Sequence, residues 1–70
     1  MSDLKLRQKL AKELRRLRTL KKMTQEEVAE KADISHRYYQ ILESDTPNRS
    51  ATMEILDRLG KVFGKKFLNL

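Results

Sequence analysis

Residues 24–43, TQEEVAEKADISHRYYQILE, read as two short helices joined by a tight turn, with the rest of the chain as scaffold for the second helix. Thr24 and Glu27 supply a T-x-x-E capping box. The threonine oxygen accepts from the backbone N–H three residues on, and the glutamate reaches back to the N–H of Thr24. Val28 and Ala32 then share a face with Ala29 beside them, while Glu26, Glu27, Glu30 and Lys31 cover the remainder. Ala29 is small enough to let a second helix cross closely. Asp33 and Ile34 make the turn, and Asp tolerates left-handed backbone better than most residues with a side chain. Ser35 is a good N-cap for the next helix, and Ile34 is placed to plug the gap between the two.

The second helix, from His36 to about Glu43, separates into two faces. At about 100° per residue, Tyr39 and Leu42 point one way as core, and His36, Arg37, Gln40, Ile41 and Ser44 point the other. The outward set mixes donors, acceptors, one cation and one apolar group, and holds no acid. That mixture suits base edges: Arg and Gln for hydrogen bonds, an aliphatic group for the thymine methyl. Arg37 is the strongest candidate, since a guanidinium bonds bidentately to guanine O6 and N7; a phosphate contact is its alternative. Ile41 packs on a thymine methyl or marks a partner contact. Tyr38 lies at the border of the two faces, with its hydroxyl in reach of a phosphate.

Thr24-Gln25-Glu26-Glu27-Val28-Ala29-Glu30-Lys31-Ala32, Ile34-Ser35, Tyr39 and Leu42-Glu43 together resemble the helix-turn-helix of the Cro/C1-type (XRE-like) DNA-binding proteins. The resemblance runs from about Leu10 to about Gly64. It implies an all-α, lambda-repressor-like domain of four or five helices that binds double-stranded DNA as a transcriptional regulator. It also implies roles for single residues. Arg18, after Leu17, pairs with Glu43 as a structural ion pair. Gln25 touches a backbone phosphate and braces His36, the first recognition residue; the plainer reading of Gln25 is helix-start polarity, and of His36 an exposed side chain without a role. Ser35, Ser44, Thr46, Asn48 and Arg49 lie along the sugar-phosphate backbone with Tyr38. Asp45 departs from the Gly-Lys pattern frequent in this loop, Tyr39 stands where isoleucine is common, and Ile41 stands where a polar or basic residue is commoner.

Seventy residues make one domain, near the lower limit for a self-sufficient core. Without cysteine there is no disulfide and no thiolate chemistry, and a small unstapled domain favours oligomerisation. The net charge of +6 suits a polyanionic partner. It is unevenly spread: residues 1–22 carry a net of +7, residues 23–48 a net of −4 and residues 49–70 a net of +3. The motif itself is not a basic patch, so phosphate attraction must come largely from elsewhere, helix N-termini included.

Ahead of the motif, Asp3 is placed to cap a helix reaching about Lys21. Leu6, Leu10, Leu14 and Leu17 form its apolar stripe, which Leu20 and Met23 continue into the turn. Its other faces carry Lys5, Arg7, Lys9, Lys12, Arg15, Arg16, Lys21 and Lys22, either a solvated surface or a phosphate-contacting flank; a membrane-surface helix fits the pattern less well. After the Ser44–Arg49 loop, Ser50 or Thr52 caps a further helix. Its buried stripe is Met53, Leu56, Leu59 and Phe63, with Ile55 and Val62 at the flank. Gly60, costly inside a helix, lets another helix approach, and Gly64 stops the helix. Residues 64–70 are ambiguous: a further helix, a tail folded back as core, or a short strand pairing with its twin across a dimer, the last slightly favoured.

Nothing reads as catalysis. The single histidine has no cysteine neighbour, so no metal site is expected, and no cofactor is implied. The absence of a membrane-spanning run or signal peptide points to the cytoplasm. The expected function is a repressor binding a palindromic operator as a homodimer, of phage-regulator or antitoxin kind. The alternative is a protein-interaction module whose partner is a toxin, with DNA binding secondary.

Overall fold

A computed structural model describes residues 3–44 and 51–67, with side chains from Leu4 onward. Four α-helices and no strand are present among these residues: α1 (Asp3–Leu20), α2 (Gln25–Ala32), α3 (His36–Glu43) and α4 (Met53–Phe63). Asp3 already lies within α1 rather than ahead of it.

Local chemistry sets the ends of the motif helices. Thr24 Oγ1 accepts from Glu27 N at 3.1 Å and Thr24 N donates to Glu27 Oε1 at 2.8 Å, so both halves of the capping box form. The Thr24 N–H holds the Glu27 carboxyl below its usual range. At the other end Asp33 is left-handed (φ 59°, ψ 47°), and Ile34 N donates to Ala29 O at 3.0 Å, closing the helix in the manner of a Schellman turn. Ser35 Oγ then accepts from Tyr38 N at 3.0 Å and starts α3. Thr52 caps α4 by accepting from Ile55 N, and Gly64 ends it with φ 68°; Ser50 lies outside the described residues.

The core gathers Leu10 and Leu14 of α1, Val28, Ala29 and Ala32 of α2, Tyr39 and Leu42 of α3, Leu59 and Phe63 of α4, and Phe67. Helix α3 packs on both α1 and α2, and α2 packs on α4. Ile34 fills in at its edge, as the turn reading expects.

Three apolar expectations fail. Leu6 is 58% and Leu20 66% exposed. The buried arc of α1 includes Ala11 and turns toward Arg18, so its centre lies about 90° from Leu6 and about 130° from Leu20. Met53 is also exposed, because it is the first residue of α4, a turn ahead of the half-buried Leu56.

Gly60 has a different neighbour from the helix expected. A Cβ there would stand 2.3 Å from the Lys65 carbonyl oxygen, and Lys65 N donates to Gly60 O at 2.9 Å. The chain after Gly64 turns back over Gly60 and drops Phe67 into the domain's own core, 3% exposed and edge-on to Phe63. Phe67 is thus folded back as core, one of the alternatives for this segment, and residues 68–70 lie outside the described part. Lys65 is also bonded to Glu13 of α1, tying the segment after α4 to the first helix.

Candidate nucleic-acid interface

Helix α3 is fixed from behind at its last residue. Glu43 is a buried carboxylate, 3% exposed. Arg18 of α1 meets it with two bonds, Nε to Oε2 at 2.8 Å and Nη2 to Oε1 at 3.1 Å, and spends Nη1 on the Met23 carbonyl at 3.0 Å. Gln25, the first residue of α2, adds Nε2 to Glu43 Oε1 at 3.2 Å. The end of α1, the start of α2 and the end of α3 therefore converge on one carboxylate. Bidentate geometry suits a part-buried pair, because each oxygen must find a donor once water is removed. The Glu43 carboxylate also raises the pKa of the Arg18 guanidinium. Tyr39 lies beside this pair. Burial, and then the neighbouring carboxylate, push its phenol well above the usual range, so it is neutral. Its buried hydroxyl has no hydrogen-bond partner among the described residues.

The opposite side of α3 is open. His36, Arg37 and Gln40 are exposed, and among the described residues their side chains make no hydrogen bond or ion pair. Ile41 is half-buried at the edge of this face. Their spacing puts Arg37, Gln40 and Ile41 on the side away from Tyr39 and Leu42, with His36 at its edge, about 90° round from that pair. The face thus offers two imidazole nitrogens, a guanidinium, a primary amide and an aliphatic group, with no hydrogen bond or ion pair to the polar ones among the described residues.

The residues expected at phosphates are less uniform. Gln25 is half-buried and turned to Glu43, a role the sequence reading did not assign it. The exposed Ser35 uses an oxygen lone pair as cap and keeps its hydroxyl hydrogen. Tyr38 is half-buried against the core. Ser44 donates its hydroxyl to the Ile41 carbonyl at 2.8 Å, so a phosphate would have to compete for that hydrogen. Thr46, Asn48 and Arg49 lie outside the described residues. Two further contacts brace the frame. Arg58 of α4 donates to the Asp33 carbonyl at 3.2 Å, holding the motif's turn. Glu13 takes Arg16 and Lys65 together, and those cations, Arg16 foremost, lower its pKa to about 2.

A family model described as helix-turn-helix matches residues 14–70, more than half of the chain. The protein belongs to the Cro/C1-type (XRE-like) helix-turn-helix family. It is accordingly a DNA-binding transcription regulator, and double-stranded DNA is its partner. No curated protein and no solved structure matches it significantly. In this regulator no helix among the described residues is long and apolar enough to cross a membrane.

The structure brings Arg18 and Glu43 together and sets His36, Arg37, Gln40 and Ile41 on one face. Sequence reasoning passed over Glu13, Lys65 and Arg58. Glu13 and Lys65 lie 52 positions apart and Arg58 and Asp33 lie 25 apart, and no local pattern signals pairs at such separations.

Proposed function

We propose that this regulator is a repressor that binds a palindromic operator as a homodimer, each copy laying α3 in the major groove. The observation that carries the reading is the contrast across α3: a side locked through Glu43 and a side whose His36, Arg37 and Gln40 are exposed and unengaged. Arg37 reads a guanine bidentately, His36 and Gln40 bond neighbouring base edges, and Ile41 covers a thymine methyl. Gln25, Ser35, Tyr38, Ser44, Thr46, Asn48 and Arg49 line the phosphates and set the register. Two-fold symmetry places the half-sites about 34 Å apart. The protein acts by binding and occlusion, with no chemistry of its own.

A second reading, an antitoxin-like module that holds a protein partner, is favoured by one feature. Ile41 is an apolar group on an otherwise polar face, and α2 beside it shows Glu26, Glu27 and Glu30 to solvent.

Competition between the protein's own upstream DNA and scrambled DNA at moderate salt separates the two. Operator recognition gives a preference of orders of magnitude for the native sequence, and Arg37→Ala costs about 1–3 kcal/mol of it. Equal affinity for both DNAs, unchanged by Arg37→Ala, rejects recognition through α3.

A further inference from the structure

Residues 1–22 carry a net charge of +7, whereas residues 23–48, which include α2 and α3, carry a net of −4. Lys5, Lys9, Lys12 and Arg16 are exposed and follow one another at steps of four, three and four, so they fall in one row along α1. The row is about 16 Å long, a length over which a duplex axis carries about ten phosphate charges. Glu13 is the one carboxylate among the described side chains of α1. It lies at the edge of the row and is shared by Arg16 and Lys65, so two cations face a single acid. A shallow depression of about 420 Å³ lined by Lys12, Arg15, Arg16, Thr19 and Leu20 continues the same face.

The direction of this row matters as much as its charge. The core side of α1, with Leu10 and Leu14, packs against the core side of α3, with Tyr39 and Leu42. Two helices packed core side to core side turn their outer sides away from each other. A duplex read by His36, Arg37 and Gln40 therefore leaves the α1 row pointing away from it.

We propose that the outer face of α1 is a second, sequence-independent DNA surface, so that one protein holds two duplex segments at once, one on α3 and one on α1. A straight row of cations matches a linear polyanion. It does not match a lipid surface, because an interfacial helix sinks a continuous apolar side into the bilayer, and here Leu10 and Leu14 are buried in the core, which leaves beside the row only Leu6 and Leu20, separate exposed leucines far apart along α1. Neutralising three or four phosphates makes this contact fall steeply with salt, by about a hundredfold between about 50 mM and about 200 mM. The inference rests on α3 holding the first duplex, though not on that duplex being an operator.

The test is capture of a labelled scrambled duplex by protein loaded on immobilised upstream DNA, at low salt. Wild-type protein is expected to capture the second duplex. The triple variant Lys5→Gln, Lys9→Gln, Lys12→Gln is expected to lose at least tenfold of the capture while occupying the first duplex as before. Its helical circular dichroism and melting show that it is folded. Capture by wild type and variant alike would overturn the proposal, since a dimer bridging through its two α3 helices behaves that way. It is equally overturned if wild type captures nothing while loaded. Binding of the row to vesicles of anionic lipid without capture of DNA would assign it to a membrane surface. Loss of preference for upstream over scrambled DNA in the loading step would count against the operator and leave the capture result readable.

Discussion

Helices α1 and α3 are built on opposite plans. Helix α3 has eight residues, and its two sides are sharply divided. Tyr39, Leu42 and Glu43 are buried, and His36, Arg37 and Gln40 are exposed. Helix α1 has eighteen residues, and much of its length is surplus to the core. Its leucines at 10 and 14 are buried, while those at 6 and 20 lie in solvent. A short helix held at both ends by specific bonds has its orientation fixed. A long one presents a stripe wider than its partners can cover. The positions that look equivalent in an apolar stripe are therefore unequal in energy, and the inequality can be measured.

The largest effect is expected where the two helices meet. Arg18→Ala leaves Glu43 buried with Gln25 as its remaining side-chain donor among the described residues. Removing one partner of a buried pair costs about 3–5 kcal/mol, so urea denaturation is expected to show a loss of this order, or no folded protein at all. A loss below about 1 kcal/mol would mean that α3 is not held through Glu43.

Next comes the stripe itself. Leu14 is fully buried, and Leu14→Ala is expected to cost about 3 kcal/mol. Leu6→Ala and Leu20→Ala are each expected to stay within about 0.5 kcal/mol, as surface substitutions do. Equal losses at the three sites would erase the distinction between the buried and surplus parts of α1.

The smallest effect concerns the tie between α1 and the segment after α4. The pKa of Glu13 falls from 4.5 to about 2 on folding, through Arg16 first and Lys65 second. A carboxyl lowered in the folded state adds stability above its unfolded pKa and loses it as pH falls through the folded one. The contribution is therefore whole above about pH 5 and gone by about pH 2. Glu13→Gln should flatten the melting temperature across that window relative to wild type. Parallel curves for the two proteins would show that the tie does not form in solution.

The local features were open to reading because their causes are local. Thr24 with Glu27, Asp33 in the turn, Ser35 and Gly64 each act within a few residues of themselves. The exposed side of α3 followed from helical spacing, and the partnership of Arg18 with Glu43 came through the family resemblance. What stayed hidden depends on chain that returns from far away. Gly60 signals that something approaches, without saying that it is the Lys65 carbonyl. Phe67 looks like a tail residue until α4 and the turn after it bring it home. Leu6 and Leu20 look buried until the centre of the buried arc is known, and Ala11 and Arg18 set that centre. The bond from Gln25 to Glu43 stayed hidden too, because it crosses from one helix to another.

The unengaged state of His36, Arg37 and Gln40 has a consequence for descent. Among the described residues these side chains hold nothing in place, so on the proposed reading replacing them alters what the surface recognises without touching what keeps it folded. The three positions are free to diverge quickly among descendants of this chain, while positions 18, 25 and 43 are bound to change together or stay as they are. One scaffold of this kind can give rise to a set of regulators that differ in their targets and share their architecture.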